Sequence, residues 1–169
     1  MQDFVHLHVH TQYSLLDGQA SVARLVDKAM QNGMKGIAVT DHGNMFGIKE
    51  FTNYVNKKNS GPKGEVKDLK KRIAGIEAGT IECADKEAEI AACKAKIVEA
   101  ENKLFKPVIG CEMYVARRTM DLKEGKPDQS GYHLIVLAKN EKGYHNLIKL
   151  VSHAWTPVSY THLRAHETT

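Results

Sequence analysis

The sequence predicts an α/β domain built on a parallel sheet or barrel, and two observations carry that prediction. Short apolar runs alternate with segments of helical period in the order strand, helix, strand, helix. Side chains able to do chemistry (His8 and His10, Asp41 and His42, Glu112, His133) recur at or near the strand ends, where such folds gather their sites.

The first strand is FVHLHVH. Side chains alternate faces along a strand, so His6, His8 and His10 share one face and Val5, Leu7 and Val9 the other. An unpartnered buried imidazole costs roughly 1–3 kcal/mol, so that face calls for a compensating partner such as a metal ion. The segment TQYSLLDGQAS reads as a loop. Ser21 can cap a helix carrying Val22, Leu25, Val26, Ala29 and Met30, which Asn32 and Gly33 end. Gly36 to Thr40 is a second strand running into DHGNMFG, and Phe46 to Val55 is again helical.

Residues 56–106 break the rhythm. After the breaker-rich KKNSGPKG, Leu69, Ile76, Cys83, Ile90, Ile97 and Leu104 recur every seven residues, with Ile73, Cys93 and Ala100 between them and Gly75 and Gly79 interrupting. A solvated two-helix hairpin is expected, with a partner-binding or nucleic-acid-binding coiled coil as the alternative. The sheet pattern returns with VIGCEMYVA, a polar loop RRTMDLKEGKPDQSG, a strand from Tyr132 to Ala138, and a helix from Glu141 to Ala154 with Tyr144, Leu147, Ile148 and Val151 on its apolar face. Beyond Trp155 neither strand nor helix is expected.

Composition narrows the class. A chain of 169 residues, 42% hydrophobic and 26% charged, is a soluble globular domain or a piece of a larger protein, without an apolar run able to span a bilayer and without a secretory signal. A cytoplasmic location and no membrane partner are expected. Three widely spaced cysteines argue against a disulfide framework or zinc knuckle. The net charge of +4 is weak evidence for a nucleic-acid surface: residues 56–106 hold twelve Lys/Arg against nine Asp/Glu, residues 1–55 four against five.

Imidazole and carboxylate donors together suit Zn²⁺, Mn²⁺ or Fe²⁺ better than Mg²⁺ or Ca²⁺. Singly, each motif has a structural reading: H-x-H can hydrogen-bond across strands, DHG can simply turn, and His133 can be a satisfied core histidine. An ionised Glu112 within an apolar strand needs a partner in any case. His145 and His153 are expected on the surface.

Four stretches in order, FVHLHVHTQYSLLDG, AVTDHGNMFG, PVIGCEMYVA and YHLIVLAKNEKGYHNLIKLVS, resemble the PHP (polymerase and histidinol phosphatase) domain. The resemblance covers residues 3–55 and 107–155. It is closest to the version that opens the alpha subunits of bacterial DNA polymerase III, the C-family replicative polymerases. It implies the N-terminal part of a distorted (β/α)₇ barrel, with residues 56–106 as an inserted helical hairpin. It also implies up to three ions, Zn²⁺ or Mn²⁺, held by His8, His10, Asp17, His42, Glu112 and His133. Asp17, His42 and Glu112 would take part directly in catalysis. Asp41 would orient an imidazole, and His6, matching no ligand position, would pack or support.

The implied chemistry is metal-assisted phosphoester hydrolysis as a proofreading 3′–5′ exonuclease, with DNA and other replicase subunits as partners through the full-length protein. The polymerase site, with its Mg²⁺, lies outside this sequence. The alternatives are a free-standing phosphatase of histidinol-phosphatase type and a non-catalytic scaffold stabilised by metal. Residues 156–169 match none of the family's motifs, including the expected Asp-x-His, although His162 and His166 sit four apart. That tail is expected to be an artefact following a truncated gene.

Overall fold

A computed structural model describes residues 4–119, 124 and 131–155, and the backbone of 162–163. The chain divides into two compact units, residues 1–52 with 107–169, and residues 53–106.

In the first unit, Ser21 caps α1 (Val22–Gln31) by accepting from the Arg24 amide, and Val22, Val26 and Ala29 are buried. Gly33, at φ 76°, turns the chain into β1 (Gly36–Val39), which is buried along its whole length. The next helix, α2 (Ile48–Lys58), starts two residues later than expected, because Asn44 Oδ1 accepts from the Phe46 amide and holds a turn there. Its Ile48 and Phe51 join the core.

Strand β2 (Lys106–Val115) alternates function along its length: Cys111 and Met113 pack with Leu147 and Ala154 of α5 (Glu141–Trp155), while Glu112 lies between them in sequence and faces the other way. Asn140 starts α5 by accepting from the Gly143 amide. The expected apolar face of α5 is rotated, with Leu147 and Ala154 buried and Ile148 at the rim.

Sheet order is β1-β2-β3, with β3 being Tyr132–Leu137. Contrary to the all-parallel expectation, β2 and β3 pair antiparallel, from Gly110↔Leu137 to Val115↔Tyr132. Antiparallel neighbours, unlike parallel ones, need no helical crossover between them. The expected polar loop lies mostly outside the described residues. The tail carries a two-residue β4 (His162–Leu163), parallel to β2, where no element was expected; His166 lies outside the described residues.

The opening strand is also a correction. Residues 4–10 form no regular strand but touch β1 through two bonds, from the Ala38 amide to His6 O and from the Thr40 amide to Val9 O. Three residues thus span the distance of two, a bend at Leu7 absorbs the extra one, and Leu7 turns outward while Val5 and Val9 are half-buried.

The second unit holds α3 (Ser60–Glu77) and α4 (Lys86–Asn102). Pro62 sits in the first turn of α3, where its missing N–H leaves no helical bond unmade, so the segment expected to break instead begins the helix. Ile76, Cys93, Ile97 and Ala100 form its buried seam. Cys83 falls in the link after Gly79 (φ 74°) and is half-buried. Both amide groups of the Asn59 side chain bond the Phe105 backbone, at 2.8 and 2.9 Å, closing the open end of the pair.

The loop after residue 10 is held by Asp41. Its buried carboxylate accepts from the Thr11 amide (2.6 Å), the Thr11 hydroxyl (2.8 Å) and the Ser14 hydroxyl (2.8 Å). Asp41→Ala leaves three buried donors unmatched and is expected to lower stability by roughly 2–4 kcal/mol, read as a lower urea midpoint at unchanged m-value. Asp41→Asn, which keeps one acceptor, is expected to lose about half as much. A thiol reagent at pH 8 should modify Cys83 well before Cys93 and Cys111, since both of these are buried and burial pushes the Cys111 thiol up to about 12.

Candidate metal centre

Five chain segments deliver six side chains to one region. His8 and His10 come from the bent N-terminal segment. Asp17 comes from a tight turn in which the Asp17 and Gly18 amides both donate to Ser14 O, at 3.1 and 2.7 Å. Glycine is required next to it, because a Cβ at Gly18 would stand 1.8 Å from the Thr11 carbonyl oxygen. His42 follows β1 and bridges to Glu112 on β2, where the Glu112 amide donates to Asp41 O and the Gly43 amide to Glu112 O. Gly43 takes φ 66° to make that return. His133 stands on β3 opposite Tyr114, their rings 4.6 Å apart, and diagonal to Glu112.

Glu112 is the centre. It is 5% exposed. Its Oε1 lies 2.5 Å from His133 Nδ1, and its Oε2 lies 2.5 Å from His10 Nε2, 3.7 Å from His42 Nδ1 and 3.9 Å from His8 Nε2. Asp17 Oδ2 lies 3.2 Å from both His10 Nδ1 and His42 Nδ1. Two overlapping groups could therefore hold a metal ion, His8–His10–Glu112 and His10–Asp17–His42.

The donor set fits such an ion. Nitrogen and oxygen donors converge, and the two 3.2 Å separations around Asp17 match the roughly 3.3 Å edge of a tetrahedron with 2.0 Å bonds. His10 faces one carboxylate through each ring nitrogen, and a neutral imidazole has one lone pair and one N–H. It can thus ligate in one group while donating to the carboxylate of the other. The side chains of His8 and His133 are about half exposed, leaving the cluster open to solvent on that side.

The remaining sequence-derived residues fall differently. Asp41 bonds Thr11 and Ser14 instead of an imidazole, and Ser14 Oγ in turn accepts from the His42 amide at 3.0 Å, so Asp41 places His42 through its backbone. His6 packs edge-on against Phe4. His145 and His153 are exposed, as expected.

Sequence reasoning passed over Thr40, whose hydroxyl lies 2.9 Å from His8 Nδ1 and also accepts from the Val9 amide. It passed over Tyr114, packed against His42 and His133, and Ser14 as well. Thr40 was detectable as a hydroxyl ending an apolar strand just before DHG. Ser14 and Tyr114 carry no signal apart from the fold.

A protein-family model of the PHP domain matches residues 6–168. The DNA polymerase III subunit alpha of Treponema pallidum (strain Nichols) is 38% identical over 158 residues, covering 93% of this chain and 10% of that protein. The subunit of the same name from Borreliella burgdorferi is 40% identical over 152 residues, covering 88% and 9%, and that from Aquifex aeolicus is 32% identical over 160 residues, covering 91% and 10%. The chain spans about a tenth of the length of these curated relatives and is homologous to their N-terminal region. With its histidine and carboxylate motifs converging on Glu112 and the family model running over nearly its whole length, this chain belongs to the PHP domain family.

Proposed function

We propose that the chain is the N-terminal part of the PHP domain of a bacterial replicative polymerase alpha subunit, a distorted (β/α)₇ barrel that hydrolyses phosphodiesters as a metal-dependent 3′–5′ exonuclease. The observation that carries this reading is the convergence of His8, His10, His42 and His133 on the buried Glu112 carboxylate, with Asp17 against His10 and His42 beside it. In the whole protein, DNA would be substrate, the other replicase subunits partners, and the cytoplasm the location. No helix among the described residues is long and apolar enough to cross a membrane.

His8, His10, Asp17, His42, Glu112 and His133 would hold up to three ions, Zn²⁺ or Mn²⁺. Bound there, such ions supply Lewis acidity toward a phosphoryl oxygen and a water acidified toward neutral pH. The chain's own residues do the rest. Thr40 fixes the ring of His8 by its contact with Nδ1, leaving Nε2 to face Glu112. Asp41, through Ser14, sets the backbone from which His42 projects. Asp17, His42 and Glu112 would take part directly in catalysis, and the solvent-open side by His8 and His133 would admit substrate.

Metal content by mass spectrometry tests this directly. Two or three equivalents of Zn or Mn are expected after loading, lost in His8→Ala and His10→Ala, together with shortening of a labelled single strand from its 3′ end. Thr40→Val should weaken metal binding by roughly 10–100-fold without removing a ligand. A well-folded protein that takes up neither ion would overturn the reading. So would release of phosphate from a small monoester with the oligonucleotide left intact.

A further inference from the structure

The loop Ser14–Asp17, with His42, Asn44, Phe46 and Trp155, walls a cavity of about 240 Å³. Asp17 and His42 belong both to this cavity and to the group His10–Asp17–His42, so a phosphoester brought to those donors sets its neighbouring group over the cavity. Its rim is apolar and open: Phe46 is 64% and Trp155 60% exposed, and Leu15 and Leu16 beside them lie almost wholly in solvent. Trp155 is nonetheless fixed, because its indole N–H donates to Gly43 O at 2.8 Å, one residue after His42.

The two ring centroids are 6.0 Å apart with planes inclined at 53°. Sandwiching a flat group between rings needs parallel planes separated by roughly 7 Å, twice a carbon–carbon contact. The rings therefore make a corner, one face serving as floor and the other ring as wall.

Polar groups around the corner are already engaged. Asn44 donates to Tyr13 O and His42 O and accepts from the Phe46 amide. The Ser14 hydroxyl donates to Asp41, and that of Tyr13 donates to Glu50. Apart from Asp17 and His42 on its metal-facing side, what the cavity leaves to a ligand is ring face and methyl groups, with few donors to read an edge.

We propose that Phe46 and Trp155 form a stacking corner for the unpaired base of the nucleotide adjoining the scissile phosphodiester, gripping it by its face and so without preference among bases. The proposal rests on the phosphodiesterase reading above and adds to it the positioning of substrate by groups that bind no metal.

Trp155 is the one tryptophan of the chain, so its emission reports on the corner alone. The full chain, loaded with Zn²⁺ or Mn²⁺, is titrated with single strands whose 3′-terminal linkage is a hydrolysis-resistant phosphorothioate. The control is the same strand with an abasic terminal residue. Quenching is expected with A, C, G and T alike, and binding of the abasic strand weaker by roughly 5–150-fold, the span of base–aromatic stacking. Phe46→Ala should lose a similar factor while keeping its circular dichroism and metal content, and Phe46→Tyr should not. With 2-aminopurine as the terminal base and reporter, Trp155→Phe should retain binding and Trp155→Leu lose it.

Equal binding of abasic and complete strands overturns the corner, as does a strong preference for one base. Quenching that requires a terminal base of any identity, without any shortening of a cleavable strand, supports the corner and rejects the exonuclease. Shortening with unchanged affinity in Phe46→Ala rejects the corner and leaves the exonuclease standing.

Discussion

An ionised carboxylate in the middle of a buried strand is costly unless both of its oxygens are occupied. Glu112 meets that constraint by drawing on every part of its neighbourhood: His133 from β3 on one oxygen, and on the other His10 from the N-terminal segment, with His42 and His8 beyond. The sheet around it follows from this need. The bridge of His42 to Glu112 joins β1 to β2, and the antiparallel register of β3 puts His133 two residues from the partner of Glu112, on the same face. A one-residue slip of either strand would turn an imidazole toward the apolar layer of Cys111, Met113 and Leu147.

Asp41 stands beside β2 as a second buried carboxylate, yet its surroundings give it a different role. Its partners are an amide and two hydroxyls, each already donating a hydrogen to it. Those donors satisfy the charge completely and leave no reason for a cation. The partners of Glu112 are imidazoles, each able to turn a lone pair toward a shared ion. Charge and burial are alike at the two positions; the difference lies in whether the neighbours give hydrogens or lone pairs. Asp41 therefore holds the loop carrying Asp17 and the backbone of His42, while Glu112 is free to share a cation with them.

Much of this was legible in the sequence where a residue's chemistry clashed with its setting. Glu112 inside VIGCEMYV and the histidines of HLHVH declared themselves because polar groups in apolar strands demand partners, and Ser21 with Gly33 marked the ends of α1 by local hydrogen bonding alone. The bend at Leu7 was hidden, because it answers to the register of β1 and not to anything local. Asp41 was placed beside an imidazole for the same reason: sequence shows that it is adjacent to His42 but not that its side chain points back to Thr11 and Ser14. Gly61 and Pro62 read as a breaker, although a first helical turn tolerates both. The antiparallel run of β3 had no signal in the sequence, because the apolar pattern of a strand is the same in either direction.

Gly43 shows how the polar cluster and the aromatic rim are tied together. Its amide donates to the backbone of Glu112 at 2.8 Å, and its carbonyl accepts from the Trp155 indole at 2.8 Å. One residue with positive φ thus links the strand bearing the central carboxylate, the histidine before it and the end of α5. A displacement of β2 large enough to shift Glu112 would move the Gly43 carbonyl with it, and Trp155 would follow or lose its bond. The separation between the carboxylate cluster and the ring face is consequently set through the Gly43 backbone, by its amide bond to Glu112 O and its carbonyl bond to the Trp155 indole. Backbone control of that kind is what placing a phosphodiester and its neighbouring base in fixed relation demands, since misplacement by about 1 Å can cost on the order of 100-fold in rate.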